Sequence, residues 1–208
     1  MYFGVFAYYQ LSEQEEYDMY GYDAASVEGW QEIDKINGWL GQQEGIALQE
    51  VIRQLEPKAQ IAELGSWQGR SSVVIASALP PEGTLYCVDH FKGSDEHQGG
   101  QFDLASLYDN FSHNIKKFHV EGKIQVLVMS SLDAATKFAT SSLDLVFVDA
   151  SHDYESVKAD IEHWYPKLKE GGFLVCHDYP WCIGVQEGVK ALKLDGELVG
   201  GSLWLHQR

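Results

Sequence analysis

The sequence lacks the features of membrane-spanning, disulfide-rich and zinc-binding chains. No stretch approaches the roughly 18–20 uninterrupted apolar residues that a membrane helix needs. The apolar stretch 1–9 has no basic region, so we expect no signal peptide. The three cysteines, Cys87, Cys176 and Cys182, form neither a CxxC pair nor a Cys/His array. Cys87 and Cys176 lie in apolar runs, where a buried thiol acts as a small hydrophobic side chain. The reducing cytoplasm is the expected compartment.

Basic residues are also scarce. Fifteen Lys and Arg against 31 Asp and Glu give a formal net charge of −16. A nucleic acid or an anionic membrane would be repelled over most of such a surface, so we expect neither as a partner. The acids are scattered, which is typical of a solubilising surface. A small molecule is the expected partner, and the pattern leaves a homo-oligomer open.

The 208 residues fit one domain with a small appendage. Residues 1–44 are rich in Tyr, Trp, Glu, Gln and Gly with weak periodicity, and we predict a helical or lid appendage there. Residues 45–208 form the predicted main domain. It opens with an amphipathic helix marked by Leu48, Val51, Ile52 and Leu55, which Pro57 ends.

From residue 60 short apolar runs alternate with helix-like stretches. Predicted strands are 61–64, 84–88, 124–128, 143–148 and 173–176, and predicted helices are 71–78, about 104–118, 134–138, 154–168 and 185–194. This alternation predicts an α/β fold with a doubly wound, Rossmann-like, mostly parallel sheet. Residues 197–199 and 202–206 around Gly200-Gly201 predict a C-terminal antiparallel hairpin.

The first strand is followed by a glycine turn. Glu63, Gly65, Ser66 and Gly69 precede a helix that opens with Ser71. Glycines allow close backbone approach to a ligand, and a helix N-terminus offers free N–H groups. Alone the pattern indicates only a tight turn, but the acid before the glycines suits a cationic ligand. The middle glycine of the GxGxxG dinucleotide motif is missing.

Polar residues follow the next two strands. Asp89, with His90 beside it, lies 20 residues after Gly69, near the offset at which an acid meets ribose hydroxyls. Its alternatives are a helix cap or a solvated loop acid. Ser130 and Ser131 end the third strand and suit either an adenine edge or the N-cap of a short helix.

Acids and histidines follow the fourth and fifth strands. Asp149 and His152 follow the fourth strand, and His177 and Asp178 follow the fifth. Histidine is the natural base near neutral pH, whereas two acids with a histidine could hold a divalent metal. A capping histidine and a loop acid are the structural alternatives.

The segments 61–72, 88–89 and, above all, 149–179 resemble the small class I methyltransferases of the methyltransferase domain 24 group. These are distant relatives of catechol O-methyltransferase and the macrolide sugar O-methyltransferases. The resemblance covers roughly residues 40–190. It implies an S-adenosylmethionine-dependent methyltransferase acting on a small-molecule acceptor, with O-methylation favoured over N-methylation.

The resemblance also implies roles for individual residues. Methionine would lie near Glu63, Gly65 and Gly69, ribose near Asp89, and adenine near Ser130 and Ser131. Asp149 and Asp178 match acids that hold Mg²⁺, and His152 falls where the relatives have a catalytic lysine. We therefore predict that His152 is the base, with Asp149 orienting it or holding a metal.

The chain departs from this family pattern at two positions. One is the histidine at the lysine position. The other is the third metal position, which we assign to Tyr179; tyrosine is a poor Mg²⁺ ligand, so the sequence leaves metal dependence open.

The role of several aromatic residues near the N-terminus stays open. The aromatics Tyr17, Tyr20, Tyr22, Trp30 and Trp39 could line an acceptor pocket, pack onto the sheet or form a dimer interface.

The rival functions are a non-catalytic cofactor-binding module and a hydroxylase or NAD enzyme on the same scaffold.

Overall fold

The computed structural model describes residues 27–94, 97–98 and 100–208. The predicted appendage is therefore described only from residue 27 onward, and Tyr17, Tyr20 and Tyr22 lie outside the described residues. Within these ranges no helix is both long and apolar enough to cross a membrane.

Helices and strands alternate along the chain as predicted. The strands are β1 (Gln60–Leu64), β2 (Thr84–Val88), β3 (Ile124–Leu127), β4 (Leu143–Val148), β5 (Leu168–Cys176), β6 (Glu197–Val199) and β7 (Leu203–Gln207). The helices are α1 (Trp30–Ile33), α2 (Gln42–Ile52), α3 (Arg70–Ala78), α4 (Leu107–Lys117), α5 (Ser131–Ala135), α6 (Tyr154–Trp164) and α7 (Ile183–Ala191), with short 3₁₀ turns at Leu104–Ser106, Glu121–Lys123 and Tyr165–Lys167.

The strands form one seven-stranded sheet in the order β3-β2-β1-β4-β5-β7-β6. β1 to β5 pair in parallel, whereas β7 pairs antiparallel with both β5 and β6. The predicted fold class and the C-terminal hairpin are confirmed. The order reverses between β1 and β4, and ligands of open α/β sheets bind at such a point, beyond the carboxyl ends of the strands.

Both faces of the sheet are covered, which explains the continuous apolar runs of its central strands. Ile61 and Phe147 face a core built with α2, α3 and α4. Their neighbours Ala62 and Val146 face a second core built with α6 and α7. All six residues of β4 are buried, so the residues that follow it leave the sheet from its core.

The junction of α6 and β5 differs from the prediction. We expected a helix through Leu168 and a strand from Phe173, but α6 ends at Trp164 and β5 begins at Leu168. Pro166 lies in the 3₁₀ turn between them, and proline cannot continue a helix because it has no N–H and crowds the preceding turn. The boundary predicted between residues 44 and 45 falls inside α2.

Candidate active site

The loop after β1 needs glycine at Gly65 for two reasons. Gly65 has φ +86°, and a Cβ there would lie 2.1 Å from the carbonyl oxygen of Asp149. Gly69 also has a positive φ, 88°, where it precedes α3. L side chains rarely adopt this backbone conformation, and the absence of a side chain at Gly65 lets the loop pass directly over the end of β4.

Asp89 fixes this loop to the end of β2. Its Oδ2 accepts hydrogen bonds from the backbone N–H groups of Ser66 and Trp67, at 3.0 and 2.9 Å. Its Oδ1 accepts one from Phe91 at 2.6 Å. The Asp89 carboxylate is therefore held at a defined position between the glycine loop and the chain leaving β2.

Glu63 lies beneath the loop and is fully buried. Its Oε2 accepts hydrogen bonds from the hydroxyls of Ser66, at 2.7 Å, and Ser72. Burial raises the pKa of Glu63, although hydrogen bonds from these serines oppose the rise. The side chain faces its supporting serines instead of the open side of the loop.

A cavity of about 750 Å³ opens at this edge of the sheet, within the size range of small-molecule sites. Of the predicted site residues, the ones that line it are Gly65, Ser66, Ser71, Asp89, His90, Ser130, Ser131, Asp149, His152 and Asp178. Glu63 and Gly69 are not among its lining residues. The structure thus brings residues predicted to bind the cofactor and residues predicted to carry out the chemistry into one cavity.

The two serines after β3 have different partners. Ser130 is the N-cap of α5, as one alternative predicted: its hydroxyl accepts from the Asp133 N–H at 3.1 Å and donates to the Asp133 carboxylate at 2.7 Å. Ser131 donates to Asp160, which is only 4% exposed. Burial raises the pKa of Asp160 to about 6, although the Ser131 hydrogen bond opposes the rise.

His177 lies at the centre of the acidic group and is 2% exposed. Its Nδ1 is 3.0 Å from Asp149 Oδ1 and 3.2 Å from Asp178 Oδ2, and its Nε2 is 3.1 Å from Glu44 Oε1. Burial alone would lower the pKa of His177. The charge of Asp149 and the hydrogen bonds to Asp149, Asp178 and Glu44 outweigh burial and hold the pKa well above its ordinary value.

His152 contacts Asp178, a partner that we did not predict for it. His152 Nε2 lies 3.2 Å from Asp178 Oδ2, and both residues line the cavity. Burial alone would raise the pKa of Asp178, but its contacts with His152 and His177 hold the pKa well below the ordinary range. This Asp–His pair is the arrangement of a base with an orienting carboxylate.

The residues do not fit the magnesium site that the resemblance implied. We assigned the third metal position to Tyr179, but Tyr179 stacks on Trp204 with ring centroids 6.2 Å apart. The residue that gathers with Asp149 and Asp178 is His177. Mg²⁺ prefers oxygen ligands in an octahedron, and an imidazole nitrogen aimed at both carboxylates fills the space between them. We therefore derive no step through Mg²⁺.

The segment before α2 is tied to the cavity rim by Arg70. The guanidinium donates to the carbonyl oxygens of Ile36, Leu40 and Asp34 at 2.8, 3.1 and 2.8 Å. Trp39 lines the cavity beside Trp67, with ring centroids 5.3 Å apart. Trp30 instead packs against the core, so the predicted aromatics divide between these roles.

Several lining residues escaped prediction. They include Trp67, His97, Phe102 and Cys182. Trp67 stands inside the predicted glycine loop and could have been found from that position. His97 and Phe102 lie in an irregular stretch with no periodic signal.

A family model described as "Methyltransferase domain" matches residues 62–179. A protein of Sinorhizobium fredii (strain NBRC 101917 / NGR234), named y4gI, is 33% identical over 134 residues. That match covers 62% of this chain and 14% of the relative, so the chain spans about one seventh of the relative's length.

Two solved structures share the fold. The O-methyltransferase NovP is 17% identical with a TM-score of 0.63, and the match covers 78% of this chain and 81% of NovP. The O-methyltransferase TomG of Streptomyces achromogenes, solved in complex with SAM, is 17% identical with a TM-score of 0.60, covering 87% and 85%. The resemblance predicted from the motifs is confirmed.

Proposed function

The chain belongs to this methyltransferase-domain family, and we propose that it transfers the methyl group of S-adenosylmethionine to an oxygen atom of a small-molecule acceptor. The observation that carries the proposal is that one cavity is lined both by Gly65 and Asp89 and by the His152–Asp178 pair. S-adenosylmethionine supplies a methyl group already activated on a sulfonium. The protein has then to align the acceptor and remove its proton, and alignment alone accounts for a large part of such rate enhancements.

The proposed cofactor is supported by the match between its chemical groups and the residues that line the cavity. Asp89 offers a fixed carboxylate for ribose hydroxyls, since three backbone N–H groups already orient it. The loop from Gly65 to Ser66, with Ser71 in the first turn of α3, would hold the methionine part. Ser131, supported by Asp160, lies on the side proposed for adenine.

In the chemical half, we propose His152 as the catalytic base. It would accept the proton of the acceptor hydroxyl as the oxygen attacks, and Asp178 would orient the ring and stabilise the protonated form. Trp39, Trp67 and the open side of the cavity would position the acceptor. The strongly negative chain favours a small acceptor over a polyanion.

Calorimetric titration of the full chain with S-adenosylhomocysteine and with NAD tests the cofactor half. We expect binding of S-adenosylhomocysteine and none of NAD. Asp89→Asn should weaken that binding at least about tenfold, the value of one or two lost polar contacts. Glu121→Gln, an exposed acid before β3, is the matched control and should leave binding unchanged. Absence of S-adenosylhomocysteine binding would overturn the proposal.

A screen of phenols, sugars and other hydroxyl compounds, read out as S-adenosylhomocysteine release, tests the chemical half. On an acceptor found in this way, His152→Gln should lower kcat by a factor of about 10²–10⁴, the usual value of a general base. Its affinity for S-adenosylhomocysteine should stay within about threefold of the native value. Nearly full turnover by His152→Gln would refute the role of His152.

A further inference from the structure

His177 is enclosed by carboxylates from three separate parts of the chain. Glu44 comes from α2, Asp149 follows β4, and Asp178 is the next residue along the chain. The contacts are 3.1, 3.0 and 3.2 Å, and the His177 side chain is 2% exposed. Carboxylates therefore face both nitrogens of a buried ring.

These contacts determine which ring atoms carry hydrogen. An ionised carboxylate only accepts hydrogen bonds, so each nitrogen that faces one must donate. Nδ1 faces Asp149 and Asp178, and Nε2 faces Glu44. Glu44 also accepts from the Ser202 hydroxyl and the Gly41 backbone N–H, which is the environment of an ionised carboxylate. Both nitrogens of the His177 ring are therefore occupied by contacts with carboxylates.

The position of this ring matters for the electrostatics of the site. Carboxylates gathered in a partly buried space repel each other, and buried charges are retained only when they are paired and hydrogen-bonded. The side chains of Glu44, Asp149 and Asp178 are 13%, 20% and 23% exposed. A divalent metal ion could balance such carboxylates, but in this chain the His177 ring already lies between Asp149 and Asp178.

We infer that the His177 ring occupies the position between Asp149 and Asp178 where Mg²⁺ would have to bind, so that this acidic group does not fit an octahedral oxygen site for Mg²⁺. An oxygen-only site for Mg²⁺ would need an oxygen ligand in place of this ring nitrogen, which lies 3.0 and 3.2 Å from the two carboxylates. His177 is thereby a positioning residue: it fixes Asp178, which in turn contacts His152. The inference rests on the proposed function for the identity of the site.

Titration with Mn²⁺, followed by electron paramagnetic resonance, tests the inference on the full chain without any acceptor. Because the acidic surface can hold ions weakly, binding is counted only where Asp149→Asn removes it. For the native chain we expect no such binding below about 1 mM, and no effect of EDTA on S-adenosylhomocysteine affinity. His177→Asp replaces the ring with a third oxygen ligand and should bind Mn²⁺ at least about tenfold more tightly than the native chain. His163→Asp, on the exposed face of α6, is the matched control and should gain nothing.

Two outcomes would overturn the inference. One is submillimolar Mn²⁺ binding by the native chain that Asp149→Asn abolishes. The other is a folded His177→Asp chain that binds no Mn²⁺, because His177 would then not be what excludes the metal. If His177→Asp does not fold, Glu44→Gln/His177→Asp carries one negative charge fewer and takes its place. Absence of S-adenosylhomocysteine binding by the native chain would instead count against the proposed function. Failure of the proposed function is therefore distinguishable from failure of this inference.

Discussion

Replacing Asp160 by asparagine should change how the stability of the protein depends on pH. Asp160 is 4% exposed and accepts a hydrogen bond from Ser131. Burial raises its pKa from 3.8 to about 6 in the folded chain. A carboxyl whose pKa is raised by folding stabilises the fold fully below pH 3.8, and this contribution is lost as the pH rises through about 6.

The expected size follows from the two pKa values. The difference between 3.8 and about 6 corresponds to about 3 kcal/mol of lost stability at pH values above both. Because the sequence pI is about 4.7, measurements are best made from pH 5 upward. Linkage places about 1.4 kcal/mol of the loss between pH 5 and 8. The amide introduced by Asp160→Asn does not titrate, and its oxygen can still accept from Ser131.

Urea unfolding of both chains at pH 5 and pH 8 measures this effect. The free energy of unfolding of Asp160→Asn relative to the native chain should rise by roughly 1.4 kcal/mol between the two pH values. Glu162→Gln removes an exposed charge from the same helix, 3.8 Å from Lys158, and should change by no more than about 0.5 kcal/mol. If Asp160→Asn responds no more than this control, Asp160 is not the buried acid described above.

Two further substitutions test the cavity wall. Gly65→Ala should abolish S-adenosylhomocysteine binding and cost about 3 kcal/mol or more in unfolding experiments, since its Cβ would meet the Asp149 carbonyl at 2.1 Å. Gly201→Ala has a similar φ of +91° but open space, so a comparable loss there would exclude the clash as the cause. Arg70→Lys loses the forked contacts to Asp34, Ile36 and Leu40 and should cost about 2–3 kcal/mol. Limited proteolysis should then cleave the Arg70→Lys chain between residues 34 and 40 faster than the native chain. An unchanged rate would show that the Arg70 contacts do not hold this segment in place.

The sheet could be predicted from the sequence because its strands are apolar and bounded by turn residues. β1 and β4 have apolar runs buried on both faces, and Gly200-Gly201 marks the hairpin between β6 and β7. The start of β5 could not be predicted, since residues 168–172 carry Lys, Glu and two glycines and the β4–β5 register shifts there. The start of β5 cannot be recognised from its own residues, because it is a strand only through its pairing with β4.

The partners of the site histidines were beyond sequence reasoning for a similar reason. In a regular strand neighbouring side chains point to opposite faces, so His177 and Asp178 would not share a target. Asp178, however, has φ +57°, a left-handed conformation that ends the alternation. Both side chains can then take part in one group with Asp149. The sequence predicts which residue types meet at this edge, but the backbone angle at one position decides which of them pair.

The contribution of Glu44 shows how the site joins distant parts of the chain. Glu44 lies 133 residues before His177, at the edge of the segment predicted as an appendage. It is bound at the same time by Gly41, by His177 and by Ser202 of the turn between β6 and β7. The acidic group is therefore complete only when α2 and the hairpin are both in place. The surroundings of the two histidines differ: His177 is enclosed by acids and contacts all three of them, whereas His152 lines the cavity in which the proposed acceptor would lie.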